Sequence, residues 1–230
     1  MHQEKHLKSS AFITDIVIGM SDGLTVPFAL AAGLSGAVQS NHIVITAGIA
    51  EIVAGSIAMG LGGYLAGKTE QEHYATELKR EYEEVVEKPE VEKQEVRDTL
   101  ATFGLSKNTQ DIIADELAKD KDQWVRFMMK YELSLDKPET HRARNSAANI
   151  GISYIVGGLI PLSGYFFTKT PHEGLIASSI LTVICLFVFG YFKAKVTGQA
   201  SLNGALKVTL IGVAAAGAAY LVAKTFNHLF

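Results

Sequence analysis

Five apolar stretches, at residues 12–34, 43–66, 146–167, 175–192 and 202–226, dominate this chain of 230 residues. Each is long enough to cross a hydrocarbon core about 30 Å thick, which takes about 20 helical residues. The expected fold class is therefore an all-α membrane protein, with five transmembrane helices and a cytoplasmic helical insert between the second and third. The expected division is 1–68 for the first two spans, 69–140 for an acidic helical domain, and 141–230 for the last three spans. The first stretch follows Lys5 and Lys8, as a secretory signal would. It is too long for a signal core, contains Asp15 and Asp22, and lacks a small-residue cleavage site, so it reads as retained.

Charge divides the chain at the same places. Of 24 acidic residues, 19 fall within residues 69–140 beside 11 of the 21 lysines and arginines, so that segment carries −8 and the remainder +5. One side of the spans collects Lys5, Lys8, Lys68, Lys137, Arg142, Arg144, Lys193 and Lys195, whereas the other offers mainly Lys169 and Lys224. The positive-inside rule then puts the N-terminus and the insert in the cytoplasm and the C-terminus outside. Far-side loops, at 36–42 and 169–174, are too short for an external receptor domain. The single cysteine, Cys185, excludes an intrachain disulfide and reads as a packing residue.

Several chemistries are missing from the sequence. It has no glycine-rich phosphate loop, CxxC pair, HExxH or nucleophile elbow, and no basic nucleic-acid patch, so no catalytic residue and no nucleic-acid partner is expected. His42, His73, His141, His172 and His228 sit at span ends, a terminus or the insert's edge. His2 and His6 alone stand at i and i+4, on a terminus of the kind that is usually unordered, and are assigned nothing.

Residues 69–140 read as a bundle of three or four helices. Pro89 ends the first and suits the opening turn of the second, which runs to Phe103. Gly104 suits a C-cap and Ser106 an N-cap for a third helix carrying Ile112, Ile113 and Leu117, and a last helix holds Trp124, Phe127, Met128 and Tyr131. Glu81 and Glu84 stand three apart, as do Glu92 and Glu95, so each pair shares a helix face. A hairpin at Lys88-Pro89 brings four carboxylates together, an environment of hard oxygens for a divalent cation, although such spacing also describes an ordinary solvated face. Met128, Met129 and Glu132 add sulfur and a further carboxylate, which leans toward a transition metal; beside Trp124 and Phe127 the methionines also suit plain core.

Acids inside the spans carry more weight. The segment SDGLTVPFAL at 21–30 places Asp22 in hydrocarbon, where a charge costs about 2.5 to 3.5 kcal/mol, beside Gly23 and Pro27, which let a helix kink and open carbonyls to a cavity. Glu51 lies in the second span, and Met59 is about 12 Å further along the axis and about 80° away in azimuth. Together they offer two carboxylates and a thioether to a partly dehydrated dication, and either carboxylate can trade a proton for that cation. Glycines at 55, 60, 62, 63, 67, 157 and 158 point to close helix packing, within one chain or across a two-fold dimer.

SDGLTVPFAL, Glu51 with GSIAMGLGGYLA at 55–66, the Glu-rich insert and MMKYEL at 128–133 resemble the vacuolar iron transporter family over nearly the whole chain. The resemblance implies a five-span homodimer in lipid that exchanges Fe(II), and often Mn(II), for protons and moves metal out of the cytosol. It implies no permanently bound cofactor, the metals being cargo. It also implies metal ligands Glu81, Glu84, Glu92, Glu95, Met128, Met129 and Glu132 in the insert and a path through Asp22, Glu51 and Met59, with every residue type matching. Two alternatives stand beside it: a membrane-tethered carboxylate enzyme that oxidises iron, disfavoured by Glu-x-x-Glu where such sites use Glu-x-x-His, and a metal-gated channel or sensor. The short N-terminus points to a prokaryotic cell membrane, or a vacuolar one in a eukaryote.

Overall fold

A computed structural model describes residues 10–229, with side chains from 11 to 226. His2, Lys5, His6 and Lys8, and the side chain of His228, lie outside the described residues. Among those described the fold is all-helical: α1 Ser10–Ser35, α2 Asn41–Glu87, α3 Pro89–Thr102, α4 Lys107–Leu117, α5 Lys121–Phe127 running into a π-helical turn Met128–Glu132, α6 Arg142–Phe166, α7 Pro171–Val196 and α8 Ser201–Leu229. Helices α1, α2, α6, α7 and α8 are the five long and apolar enough to cross a membrane.

The helix that holds the second span does not end near residue 66, where hydropathy changes, but continues as one 47-residue helix. Hydropathy decides the solvent and not the backbone. No proline intervenes, Gly67 costs only about 1 kcal/mol against alanine, and the pairs Lys68–Glu72, Lys79–Glu83 and Arg80–Glu84 support the surface at i, i+4. The helix stops at Lys88, whose φ of −135° leaves the helical region before Pro89 opens α3.

The chain forms two compact units. Among the described residues, one takes in those up to Tyr64 and from Ala143 onward; the other is Leu65–Arg142. In the first, α7 packs on α8 and α1, and α1 on α8. Helix α6 meets α1 and α2 almost backbone to backbone. A Cβ on Gly19 would strike the carbonyl oxygen of Ile150, one on Gly23 the carbonyl oxygen of Tyr154, and one on Gly157 would stand 3.0 Å from the Leu24 nitrogen. A Cβ on Gly158 would stand 2.7 Å from Ile52 and 3.1 Å from Pro27, and one on Gly60 3.1 Å from the Ala147 oxygen. At one end, Asn41 Nδ2 donates to the carbonyls of Tyr165 and Thr168 at 3.2 and 2.7 Å, and the Tyr165 hydroxyl reaches the Ala31 carbonyl at 3.3 Å.

In the second unit Val85, Val96, Leu100, Ala114, Trp124, Val125, Met128 and Met129 form the core. Gly104 turns with φ of +75°, Ser106 caps α4 by accepting from the Thr109 N–H, and Asp120 caps α5 by accepting from the N–H groups of Asp122 and Gln123 at 3.0 and 3.1 Å. Ion pairs Lys93–Asp115 and Arg97–Asp111 join α3 to α4 at 2.9 and 2.7 Å, and the Tyr82 hydroxyl donates to Asp122 at 2.8 Å.

The glycine contacts generate a test. Gly23→Ala forces a methyl into a backbone oxygen that has no rotamer to yield, so the melting midpoint of the detergent-solubilised chain falls by about 5 °C, the overpacking range for one inserted carbon. Gly62→Ala, whose Cβ meets nothing within 4 Å, leaves the midpoint unchanged or raises it. Equal midpoints for the two variants would contradict the packing described.

Candidate functional site

In the spanning unit the carboxylates gather on one phenol. Tyr154 of α6 is 2% exposed, and its hydroxyl donates to Glu51 Oε1 on α2 while lying within electrostatic range of Asp22 on α1. Glu51 Oε2 is buried without a protein hydrogen-bond partner. Glu51 also lines a groove of about 560 Å³ whose other walls are apolar residues of α1 and α8, among them Val26, Leu30, Ala219 and Phe226. Asp22 is half-buried beside Gly23, the residue whose backbone abuts that of Tyr154. Met59 is also half-buried, next to Gly60, where α2 touches Ala147. The structure thus brings Asp22 and Glu51 around Tyr154, with Met59 further along α2.

Asp15 belongs with them, although in the sequence it speaks only against a signal peptide. It is 1% exposed and accepts from Ser146 Oγ at 3.0 Å and Asn149 Nδ2 at 3.3 Å, both on α6. Seven residues before Asp22, it shares that residue's face of α1, since seven residues make about two turns. That spacing was the available signal. Tyr154 offered none, because a tyrosine in an apolar span is ordinarily packing.

The second unit collects its acids as the hairpin spacing anticipates. Glu81 and Glu92 are each 2% exposed, and each has one carboxylate oxygen buried with no hydrogen-bond partner. Burial is the largest cause that pushes Glu81 up to about 7, followed by Glu132 and Glu84, with Arg80 opposing. Burial likewise pushes Glu92 up to about 7, followed by Glu95, Glu81, Glu84 and Glu132. Glu132, on a residue otherwise exposed, is raised by desolvation of its carboxyl and then by Glu95. Five carboxylates therefore feel one another. Among the described residues, however, no three His, Cys, Asp or Glu side chains converge tightly enough to hold a metal ion as they stand. Like charges repel, and Glu84 turns to cations of its own helix and its end, with Arg80 Nε at 3.5 Å and Lys88 Nζ at 3.3 Å.

A π-helical turn, unforeseen in the sequence, carries the two adjacent methionines. Its wider spacing is seen in the bond from the Leu133 N–H to the Met128 carbonyl, five residues back, at 3.1 Å. Both side chains face inward, with Met128 0% and Met129 2% exposed. Burial and repulsion among these carboxylates favour their protonated forms, while Met128 and Met129 pack in the apolar core of the unit.

An all-helical chain with five bilayer-length helices and carboxylates buried among them is a multi-pass membrane protein. The model of the VIT family matches residues 13–224, and the chain belongs to that family. It is 48% identical over 99% of its length to vacuolar iron transporter 1 of Tulipa gesneriana, covering 92% of that protein, and 49% identical over 97% to vacuolar iron transporter 1 of Eucalyptus grandis, covering 90%. Protein CCC1 of Saccharomyces cerevisiae is 40% identical over 92% of this chain, with 68% of its own length covered.

The raised carboxylates set a pH dependence. Because Glu81 and Glu92 bind protons more readily folded than unfolded, where a glutamate titrates near 4.5, their contribution to stability is full below 4.5 and is lost as pH rises through about 7. Unfolding the second unit in urea, followed by the fluorescence of its buried Trp124, the only tryptophan of the chain, gives a higher midpoint at pH 5 than at pH 8 without metal. Glu81→Gln with Glu92→Gln flattens this dependence; a slope that survives the double substitution places its origin elsewhere.

Proposed function

We propose that the protein carries Fe(II), and Mn(II) with it, out of the cytosol in exchange for protons, through Asp22, Glu51 and Met59. It is a transporter rather than an enzyme, as the names of its relatives also indicate. The observation that carries the reading is Glu51 in the spanning unit, with one oxygen held by Tyr154 and the other buried and unpartnered. An intramembrane carboxylate in that condition has two ways to lose its cost, a proton or a cation, and cannot hold both fully. Alternation between the two couples opposing fluxes.

In this reading Glu81, Glu84, Glu92, Glu95, Met128, Met129 and Glu132 collect the metal on the cytoplasmic side and raise its local concentration. Ligation replaces the protons on Glu81 and Glu92 and draws Glu84 away from Arg80 and Lys88. The N-terminus and the acidic unit are cytoplasmic, as the distribution of basic residues indicates. A homodimer suits the groove at Glu51, since a second copy there would remove lipid from a carboxylate, and Gly62 and Gly217, whose Cβ positions meet nothing, offer outward faces for close packing. Relatives named for the vacuole favour the membrane of such a compartment.

Proteoliposomes containing the full chain and loaded at acid pH test the reading. Fe(II) and Mn(II) enter while the lumen loses protons. Asp22→Ala and Glu51→Ala abolish uptake, whereas Glu81→Ala and Glu92→Ala leave a reduced flux. Metal entry without opposing proton movement would make the protein a channel, and wild-type uptake by Asp22→Ala would remove that residue from the path.

A further inference from the structure

We propose that Tyr154 keeps Glu51 a one-oxygen ligand, and that this positioning sets how quickly the transported dication leaves and how large an ion is accepted. The inference rests on the transport reading above and concerns what a neighbour does to one of its residues. The hydroxyl donates to Oε1, so that oxygen is engaged, and Oε2 alone remains buried and unpartnered.

The phenol has little freedom to move aside. Gly55 lies one turn after Glu51 on α2, and a Cβ there would strike the Tyr154 hydroxyl and stand 2.5 Å from its Cζ, so the missing side chain is the notch through which the ring reaches the carboxylate. The backbone of Tyr154 is also held against Gly23 of α1. Helices α1, α2 and α6 thus fix the donor, and the donor fixes the carboxylate.

Denticity has consequences for a carrier. A carboxylate gripping with both oxygens suits a large, flexibly coordinated ion such as Ca(II), whereas smaller dications at shorter metal–oxygen distances are served by single oxygens. A transport site must also bind weakly enough to release. Holding one oxygen back by a hydrogen bond meets both demands without changing the ligand's charge.

Tyr154→Phe removes the hydroxyl and keeps the ring that fills the Gly55 notch. In proteoliposomes of the full chain, the KM for Fe(II) and the maximal rate both fall, by about tenfold each on the scale of one hydrogen bond to a charged group, and Ca(II) competes more strongly by a similar factor. A loosened fold would instead raise KM as it lowers the rate. An unchanged or raised KM in the variant, with the wild type active, overturns this inference alone; a wild type without flux overturns it together with the transport reading. Should the variant not fold, infrared difference spectra of wild type and Glu51→Gln with Mn(II) decide the matter. A Glu51 carboxylate splitting of the monodentate kind supports the inference, and a bidentate splitting overturns it.

Discussion

Contact between the backbones of α1, α2 and α6 makes the polar centre of the spanning unit possible. In lipid there is no hydrophobic gain from pressing apolar helices together, so close approach must come from van der Waals packing and hydrogen bonds between them. Gly19, Gly23 and Gly157 let α1 lie on α6, and Gly60 lets α2 do so. Only at such separations does a tyrosine on α6 reach a glutamate on α2 while remaining in the field of an aspartate on α1. A methyl group in the wrong place would widen the gap and leave each carboxylate alone in hydrocarbon.

The acidic unit meets a related difficulty by other means. Its core is apolar, yet Glu81 and Glu92 are as deeply buried as the residues around them. Part of the charge is answered from within by Arg80 and Lys88 at Glu84, and the rest by protons that Glu81 and Glu92 hold at unusually high pH. Neither answer is complete. In the transport reading proposed above, a dication would offer more charge in less volume than either.

In the transport reading proposed above, the carboxylates of both units alternate between protons and a dication. For a carrier that balance matters more than strong binding, because an ion held too well is not delivered. The π-helical turn fits the same pattern. It gives up regular α-helical hydrogen bonding over Met128–Glu132, a stretch that holds two buried sulfurs and ends at a carboxylate.

Much of this was readable in the chain because it depends on local properties. Span length and hydropathy sufficed for five membrane helices, Pro89 for the break after α2, Gly104 and Ser106 for the ends of α3 and α4, and the spacing of Glu81, Glu84, Glu92 and Glu95 for carboxylates that gather across a hairpin. The uninterrupted α2 was not readable from hydropathy, since a helix backbone is indifferent to whether lipid or water surrounds it. Nor were the burial of Asp15 by Ser146 and Asn149, the paired methionines, or the hold of Tyr154 on Glu51. Those involve residues more than a hundred positions apart, or a turn whose pitch answers to the core it faces, and their relation exists only once helices have packed.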